Sequence, residues 1–408
     1  MMHPTLVPAA IAFAVIFLLR FIHTVMCGLF PKECTCKKNH ILIRDLSKAT
    51  AILRFSTLQS RAPPNQRLVS VFFISNAFTT TDKVVYNSSV AEAKDLLKTS
   101  NDDSLGLADD TLRLAREISL PASSTEPIHL NSLIQLVCFR FVLLKFFPST
   151  TVVPCSNSSI LRITGLINAL WISSKCSCSS GRSHVSMQDS LQHEIDSLFP
   201  RLEKENKNPL NIILPAYETL WRVVLRCFLE VSFLSPSEVT TQWKKIIHEF
   251  LRNISQENFS ERKGRCSAQD IVFESLRLYP PTKRIYRQNQ RDGWIAAIDI
   301  EYLQRTEEIW GTDGSEFRPE RWSELESSGD KAYKEAWMPF GKVSFQCPAS
   351  KVAPMMIAML VGCLVETFGN GQWILEDIWR DNEILRGQSL DNGREAFGSV
   401  FLRRAEVS

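Results

Sequence analysis

One cysteine in this chain stands where its chemistry depends on its neighbours. Cys347 lies in the stretch FGKVSFQCPAS, residues 340–350, after a Phe-Gly turn and directly before a long apolar segment. If that segment is a helix, its dipole favours the thiolate form of a cysteine at its N-terminal end. The thiolate is the form of cysteine that binds a metal. A buried structural cysteine is the alternative, because that is the commonest state of a free cysteine.

A pair of opposite charges precedes the cysteine in the chain. Glu274 and Arg277 in SAQDIVFESLRLYPP share a helix face, since residues three apart are neighbours on a helix. Most residues around them are apolar, so we expect a partly buried pair, which is costly unless further hydrogen bonds satisfy it. Arg321, in EFRPERWSEL, follows a proline turn and is suited to lock a glutamate in bidentate geometry. A solvated surface pair is the alternative.

In this order and at these spacings, the three motifs resemble those of cytochrome P-450, a family of haem-thiolate proteins. They read Glu-x-x-Arg, then Phe-x-Pro-Glu-Arg-Trp, then Phe-Gly with Cys-Pro-Ala after five more residues. The separations are 46 residues from Glu274 to Glu320 and 27 residues from Glu320 to Cys347. The resemblance is clear over residues 191–365 and is greatest to eukaryotic microsomal members, particularly fungal ones.

The resemblance implies which residues bind haem b. Cys347 would be the axial thiolate of the iron, which donates electron density that favours O–O cleavage. Phe340 and Gly341 would belong to the cofactor-binding loop. Arg287 would contact a haem propionate, with Arg284 as a nearby alternative, although a basic residue at a strand edge can also simply face water. The structural salt-bridge triad of the family corresponds to Glu274, Arg277 and Arg321.

The same resemblance places proton delivery in the segment PAYET. Thr219, which lies 55 residues before Glu274, would supply a hydroxyl, and Glu218 would relay protons to it. Pro215 and Ala216 replace the small residues that are usual there, and a proline inside a helix removes one backbone hydrogen bond. A Glu-Thr pair on a core helix is the alternative.

The cysteine loop departs from the family pattern at two positions. Val343 stands where the family has glycine, which permits positive φ and close approach of the backbone to haem. Phe345 stands where a basic residue often binds a propionate. The Trp-x-x-x-Arg helix that usually contacts haem is not found, and the missing length precedes Asn208. A truncated or degenerate family member that binds haem weakly or not at all is therefore the alternative.

The elements that must position these residues are mostly helical. We predict a mainly α fold with small β-sheets, as in cytochrome P-450. A buried helix is expected over Ile134–Phe147 and a long apolar helix containing Pro215 over Asn208–Val231. Leu68–Ile74 predicts a strand from its β-branched and aromatic residues. Ser173–Ser190 reads as a serine-rich loop.

The N-terminal segment predicts a membrane anchor. Thr5–Phe30 is strongly apolar, and the lysines that follow it favour a cytoplasmic location for the rest of the chain. A cleaved signal peptide is the alternative. We therefore expect an anchor over residues 1–30, a linker with the first helices over residues 31–60, and a haem-thiolate domain over residues 61–408 at the endoplasmic reticulum membrane.

Composition excludes one large class of function. The net charge is only +3 on 408 residues, with 22% charged residues, whereas a nucleic-acid-binding protein shows a basic patch or stripe. Two cysteine pairs, in CTC and CSC, lack the spacing of zinc ligands. The resemblance instead implies a monooxygenase acting on a small lipophilic substrate of secondary metabolism, a terpenoid or a polyketide. Its electrons would come from NADPH through a flavoprotein reductase.

Overall fold

The architecture is mainly helical. The computed structural model describes residues 40–98, 100–119, 126–147, 151–174, 181–205, 207–329, 331–377 and 397–405. The α-helices of its first half are α1 (Leu46–Arg54), α2 (Leu58–Arg61), α3 (Gln66–Phe72), α4 (Lys83–Leu97), α5 (Asn101–Ser119), α6 (Leu130–Phe146), α7 (Asn157–Ser173), α8 (Gly181–Leu198) and α9 (Pro200–Lys204). Those of its second half are α10 (Leu210–Leu229), α11 (Ser237–Arg252), α12 (Gln256–Ser260), α13 (Ala268–Leu278), α14 (Ile300–Leu303), α15 (Glu307–Trp310), α16 (Arg321–Ser328), α17 (Ala332–Ala336) and α18 (Ala353–Phe368).

Short single turns complete the helical part. The 3₁₀ turns are Pro63–Asn65, Val343–Phe345 and Pro348–Lys351, and Glu230–Leu234 forms a π-helical turn at the end of α10.

Two small sheets complete the fold. The strands are β1 (His40–Ile43), β2 (Ile128–His129), β3 (Arg284–Gln288), β4 (Ile295–Asp299), β5 (Trp373–Asp377) and β6 (Val400–Arg404). One sheet has the order β1-β4-β3, with β1 parallel and β3 antiparallel to β4, and the other has the order β2-β6-β5. The predicted mainly α fold with small sheets is confirmed.

The core is built around α10 and α18. Almost every side chain of α18 is buried, as expected for a helix that is apolar on all sides. This helix packs against α5, α10, α11 and α13, and α10 also packs against α6. The predicted buried helix at Ile134–Phe147 is confirmed as α6, whose apolar side chains are nearly all buried. Because α18 begins a few residues after Cys347, the core fixes the position of the cysteine loop.

The predicted strand at Leu68–Ile74 is wrong, because most of this segment is helix α3. The 3₁₀ turn at Pro63–Asn65 leads directly into it, and Phe73 ends it in the left-handed conformation at φ 54°. The side chains of Val71 and Phe72 are buried in the main core. Burial of one helix face therefore outweighs the β-propensity of these residues, which depends strongly on context.

The predicted loop at Ser173–Ser190 is wrong in its second half. Helix α8 begins at Gly181 and continues to Leu198. Its buried residues Leu191, Ile195 and Leu198 recur at the spacing of one helix face. That apolar face makes the helix favourable although the residues before it are mostly polar.

The predicted anchor at Thr5–Phe30 lies outside the described residues, as do Cys34, Cys36, Cys176 and Cys178. Within the segments given above, no helix combines the length and the apolar character needed to cross a bilayer.

Candidate active site

The loop before α18 holds Cys347 in a closed turn. The Cys347 backbone N–H donates to the Phe340 carbonyl at 2.8 Å, and the Ser350 N–H donates to the Cys347 carbonyl at 3.1 Å. Cys347 is the N-cap residue of the 3₁₀ turn Pro348–Lys351, and the backbone of Ala349 lowers the pKa of its thiol. This backbone contribution favours the ionised form of the half-buried thiol.

Burial opposes ionisation of this thiol. It raises the pKa of Cys347 above the usual value for cysteine, while the Ala349 N–H and the positive charge of Arg61 lower the pKa by smaller amounts. The net direction is upward in the protein without a metal. A bound metal cation removes the proton, because metal binding and thiol deprotonation are coupled.

Two residues of the loop adopt positive φ. Gly341 has φ 69°, a conformation in which glycine has no steric cost. Val343, at φ 56°, is one of two non-glycine residues with positive φ in the described segments. The backbone thus keeps the left-handed conformation at the position where the family has glycine, although this conformation has a steric cost for valine. The unfavourable Val343 geometry expected from the sequence is present.

Arg287 and Arg61 meet beside the cysteine loop. The Arg287 guanidinium carbon lies 5.6 Å from the centroid of the Phe345 ring, and that of Arg61 lies 4.8 Å from the same centroid. Both side chains are buried, with 9% and 7% of their surface exposed. The ring of Phe345 therefore lies against two guanidinium groups that are far apart in the sequence.

The local structure around each arginine fixes its direction. Arg287 lies on β3, where its Nε donates to Ser56 Oγ at 3.0 Å and its Nη1 donates to the Tyr286 carbonyl at 2.8 Å. Arg61 is the last residue of α2, which begins with a capping box of Thr57 and Ser60.

These two cations lack a carboxylate partner among the described residues. Burial lowers the pKa of Arg61, and burial together with the charge of Arg61 lowers the pKa of Arg287 to about 10. The groups that raise the pKa of Arg61 are the Tyr86 phenol and the Cys347 thiol, neither of which is a carboxylate. Two buried cations of this kind are costly unless an anion joins them.

The loop and the two arginines fit a haem. Haem carries an iron that takes an axial thiolate and two propionate carboxylates at one edge. The structure provides a half-buried thiol and, against the Phe345 ring of the same loop, two buried guanidinium groups without a carboxylate partner among the described residues. Arg284, the alternative to Arg287, is exposed and lies 4.0 Å from the Asp299 carboxylate. Arg287 therefore suits an anion better than Arg284 does.

Glu274, Arg277 and Arg321 form one buried ionic cluster. Arg277 donates to both Glu274 carboxylate oxygens, at 2.9 and 2.7 Å, and Arg321 Nε donates to Glu274 Oε1 at 3.3 Å. The side chains are 0%, 0% and 2% exposed. The Arg318 backbone N–H adds a donor to Glu274 at 3.0 Å, so the buried carboxylate is well satisfied.

Gln304 connects this cluster to the cysteine loop. Its side-chain amide donates to the carbonyls of Leu276 and Arg277, at 3.1 and 2.9 Å, and its Oε1 accepts from the Met338 N–H at 2.9 Å. Met338 lies two residues before Phe340, whose carbonyl holds Cys347. Through Gln304, the ionic cluster therefore fixes the segment that leads into the cysteine loop.

Thr219 and Glu218 lie on α10, which is continuous through Pro215. Thr219 Oγ1 donates to the Pro215 carbonyl at 3.1 Å, and Glu218 is buried with 6% of its surface exposed. Pro215 cannot donate to the Asn211 carbonyl, which instead accepts from the Asn76 side chain at 3.1 Å. The proline is thus accommodated inside the helix by a side chain from outside it.

Sequence reasoning missed Arg61, Tyr86 and Gln304. The stretch RAPPNQR, which contains Arg61, reads only as a proline-rich break, and Tyr86 and Gln304 belong to no motif. Tyr86 lies on α4, where its ring meets Phe345 edge-on at 5.6 Å. The one available signal is Phe345 itself, because the loss of a basic residue there calls for a charge from elsewhere.

The family model and the relatives that match this chain in sequence all carry the same family name. Residues 241–370 match the family model described as "Cytochrome P-450". Cytochrome P-450 714A2 of Arabidopsis thaliana is 32% identical over 108 residues, which cover 24% of this chain and 20% of that protein. Putative cytochrome P-450 CYP13A2 of Caenorhabditis elegans is 28% identical over 206 residues, covering 44% and 39%. The matches thus span well under two thirds of these relatives.

Solved structures give the same fold. A six-coordinated cytochrome P-450 from Thermus thermophilus superposes with a TM-score of 0.58 at 18% identity, covering 80% of this chain and 84% of that one. A cytochrome P-450 in complex with arachidonic acid superposes with a TM-score of 0.57 at 13% identity, covering 90% and 89%. Residues 241–370 are thus similar in sequence to cytochrome P-450, and the chain has the fold of the solved cytochrome P-450 structures.

Proposed function

We propose that the protein is a haem-thiolate monooxygenase in which Cys347 is the axial ligand. The observation that supports this most strongly is the cysteine loop beside two buried arginines without a carboxylate partner among the described residues. Haem b, when bound, supplies the oxygen chemistry, and the protein supplies the thiolate, the orientation and the exclusion of water. We assign this activity to residues 61–408, with Phe340 and Gly341 shaping the loop.

The remaining residues have supporting roles in this proposal. Glu274, Arg277 and Arg321 hold the chain that enters the loop and take no part in the reaction. Thr219 holds a proton at its hydroxyl, and Glu218 passes protons to it from α10. The apolar residues that α10 and α18 contribute keep water away from the thiol.

For the substrate we propose a small lipophilic molecule of secondary metabolism, a terpenoid or a polyketide. The basis is family resemblance, together with the fatty acid named for one protein of the same fold. Electrons are proposed to come from NADPH through a flavoprotein reductase that docks on basic residues near the cysteine. We further propose the eukaryotic microsomal type, held at the endoplasmic reticulum membrane by residues 1–30 and facing the cytoplasm.

The test is a carbon monoxide difference spectrum of the full chain expressed with haem. The reduced protein is expected to show the strongly red-shifted Soret band of a thiolate-ligated haem, and Cys347→Ala is expected to abolish it. Cys155→Ala is the matched control, since Cys155 is also a half-buried free cysteine. Absence of haem from the wild-type protein contradicts the proposal.

A second function is favoured by Val343. Its strained backbone supports a degenerate family member that holds haem weakly or not at all. If Val343→Gly raises haem retention several-fold, the loop limits the wild-type protein and the degenerate form is supported. If retention does not change, the strain has no bearing on haem and this alternative loses its basis.

A further inference from the structure

Arg61 and Phe345 form an arrangement that the family pattern does not contain. The family often has a basic residue where this chain has Phe345, and the phenylalanine ring now faces two arginines. Arg61 lies over two rings at once, 4.8 Å from the centroid of Phe345 and 4.6 Å from that of Phe78. Such cation–π contacts hold a guanidinium in place without neutralising its charge.

Other contacts position Arg61 and likewise leave its charge uncompensated. Tyr86 raises the pKa of Arg61, and its hydroxyl donates to the Ser344 carbonyl at 3.4 Å. Through these contacts α2, α4 and the cysteine loop hold the guanidinium at one place. An arginine that served only to pack the rings would not need a second buried cation, Arg287, on the same aromatic ring.

We infer that Arg61 and Arg287 form one binding site for the haem carboxylates, in which Arg61 replaces the charge that Phe345 has removed from the cysteine loop. This inference rests on the proposed function, because the carboxylates belong to the haem of Cys347. Phe345 is a positioning residue whose ring contacts both guanidinium groups.

The experiment compares two porphyrins that differ only in charge. Haemin and its dimethyl ester, in which both propionates are blocked, are titrated into the full-length apo-protein. The wild-type protein is expected to bind haemin more tightly than the ester. Arg61→Met is expected to weaken haemin binding by about 10- to 100-fold, the range for loss of a hydrogen bond to a charged group. Binding of the ester is expected to stay unchanged.

Matched variants separate charge from folding. Arg54→Met removes an exposed guanidinium from the neighbouring helix α1 and is expected to leave both affinities unchanged. Arg61→Lys retains a charge and is expected to recover part of the haemin affinity. The melting temperature of Arg61→Met without porphyrin is expected to be equal to or above that of the wild-type protein, because a buried cation is removed.

The outcomes distinguish this inference from the proposed function. If the wild-type protein shows the thiolate band with carbon monoxide but Arg61→Met weakens both porphyrins equally, Arg61 is only structural and the inference is wrong. It is also wrong if Arg61→Met changes neither affinity, or if inorganic phosphate stabilises the wild-type protein while haemin and its ester bind alike. If the wild-type protein binds neither porphyrin, the proposed function itself fails.

Discussion

Val343 adopts a backbone conformation that costs glycine little and a β-branched residue about 1–2 kcal/mol. Its side chain is 46% exposed, so packing of the side chain does not offset that cost. The loop conformation is imposed from both sides, by Gly341 at φ 69° and by the hydrogen bond from the Cys347 N–H to the Phe340 carbonyl. The neighbouring contacts, and not the residue type, therefore determine the shape of this turn.

The substitution Val343→Gly is expected to stabilise the apo-protein. Relief of the left-handed strain gains about 1–2 kcal/mol, and the greater freedom of glycine in the unfolded chain offsets about 0.5–1 kcal/mol of this gain. The free energy of unfolding, measured by urea denaturation, should rise by about 0.5–1 kcal/mol. Ser344→Gly is the control, because Ser344 is exposed and has an ordinary φ, and it should lower stability. Equal effects at the two positions contradict the strain argument.

Glu274 bridges two buried guanidinium groups, those of Arg277 and Arg321, and Arg321 also pairs with Asp313 at 2.7 Å. Glu274→Gln leaves both arginines inside the core with incomplete partners, so we expect a loss of about 3–5 kcal/mol in the free energy of unfolding. Glu324→Gln, which removes the exposed partner of Arg318 at 2.7 Å, should cost less than about 1 kcal/mol. Similar losses for the two variants in denaturant titrations indicate that burial of the cluster is not what stabilises it.

Sequence reasoning succeeds for residues whose partners are set by local spacing. Glu274 and Arg277 meet because they lie one helix turn apart, and a mostly apolar helix predicts their burial. Arg61 could not be found in this way, because its approach to Phe345 depends on how α2 and the cysteine loop are placed by the whole fold. The sequence shows that position 345 lacks a basic residue, but it does not show that Arg61 supplies a positive charge there.

At the scale of elements, the N-terminal part of α10 depends on the chain that follows α3. Asn208 Nδ2 donates to the Phe72 carbonyl at 3.0 Å, and Asn211 Oδ1 accepts from the Ser75 N–H at 2.8 Å. The Asn76 side chain then satisfies the Asn211 carbonyl left without a donor by Pro215. A helix that contains a proline is thus completed by polar side chains that also tie down a separate segment.

This arrangement predicts coupling between Asn76 and Pro215. Asn76→Ala should cost about 1–3 kcal/mol, since it leaves the Asn211 carbonyl unsatisfied. In a Pro215→Ala background the same change should cost less, because the alanine regains the N–H that donates to that carbonyl. A double-mutant cycle in urea measures the coupling, and strictly additive effects would rule out the shared hydrogen bond.

The elements that sequence reasoning recovers are those whose length and apolar composition indicate burial. Helix α6 is apolar on nearly all sides and is recognised by its length and composition. Leu68–Ile74 is short and apolar, and a segment of this kind is compatible with either a strand or a buried helix. The proline turn before it and the core it joins decide in favour of the helix, and both act through tertiary packing.

At the scale of the whole molecule, haem binding should contribute to folding stability. A ligand that binds only the native state adds about 2.7 kcal/mol when its free concentration is about 100 times the Kd. Haemin should therefore raise the melting temperature of the wild-type protein, and Cys347→Ala should reduce that increase. Calorimetry with and without haemin measures both, and an equal increase in the two proteins indicates that the thiol is not a ligand.

The pairing of β1 with β4 has a consequence for the order in which the protein can form. His40 in β1 pairs with Ile295 in β4, so within the described segments β1 has no strand partner until about 255 further residues have been synthesised. At about 5–20 residues per second, that interval lasts roughly 13–50 s. Arg61 follows β1 closely, and Phe345 is made later than β4. The proposed haem carboxylate site is therefore incomplete on the ribosome until Phe345 has been synthesised.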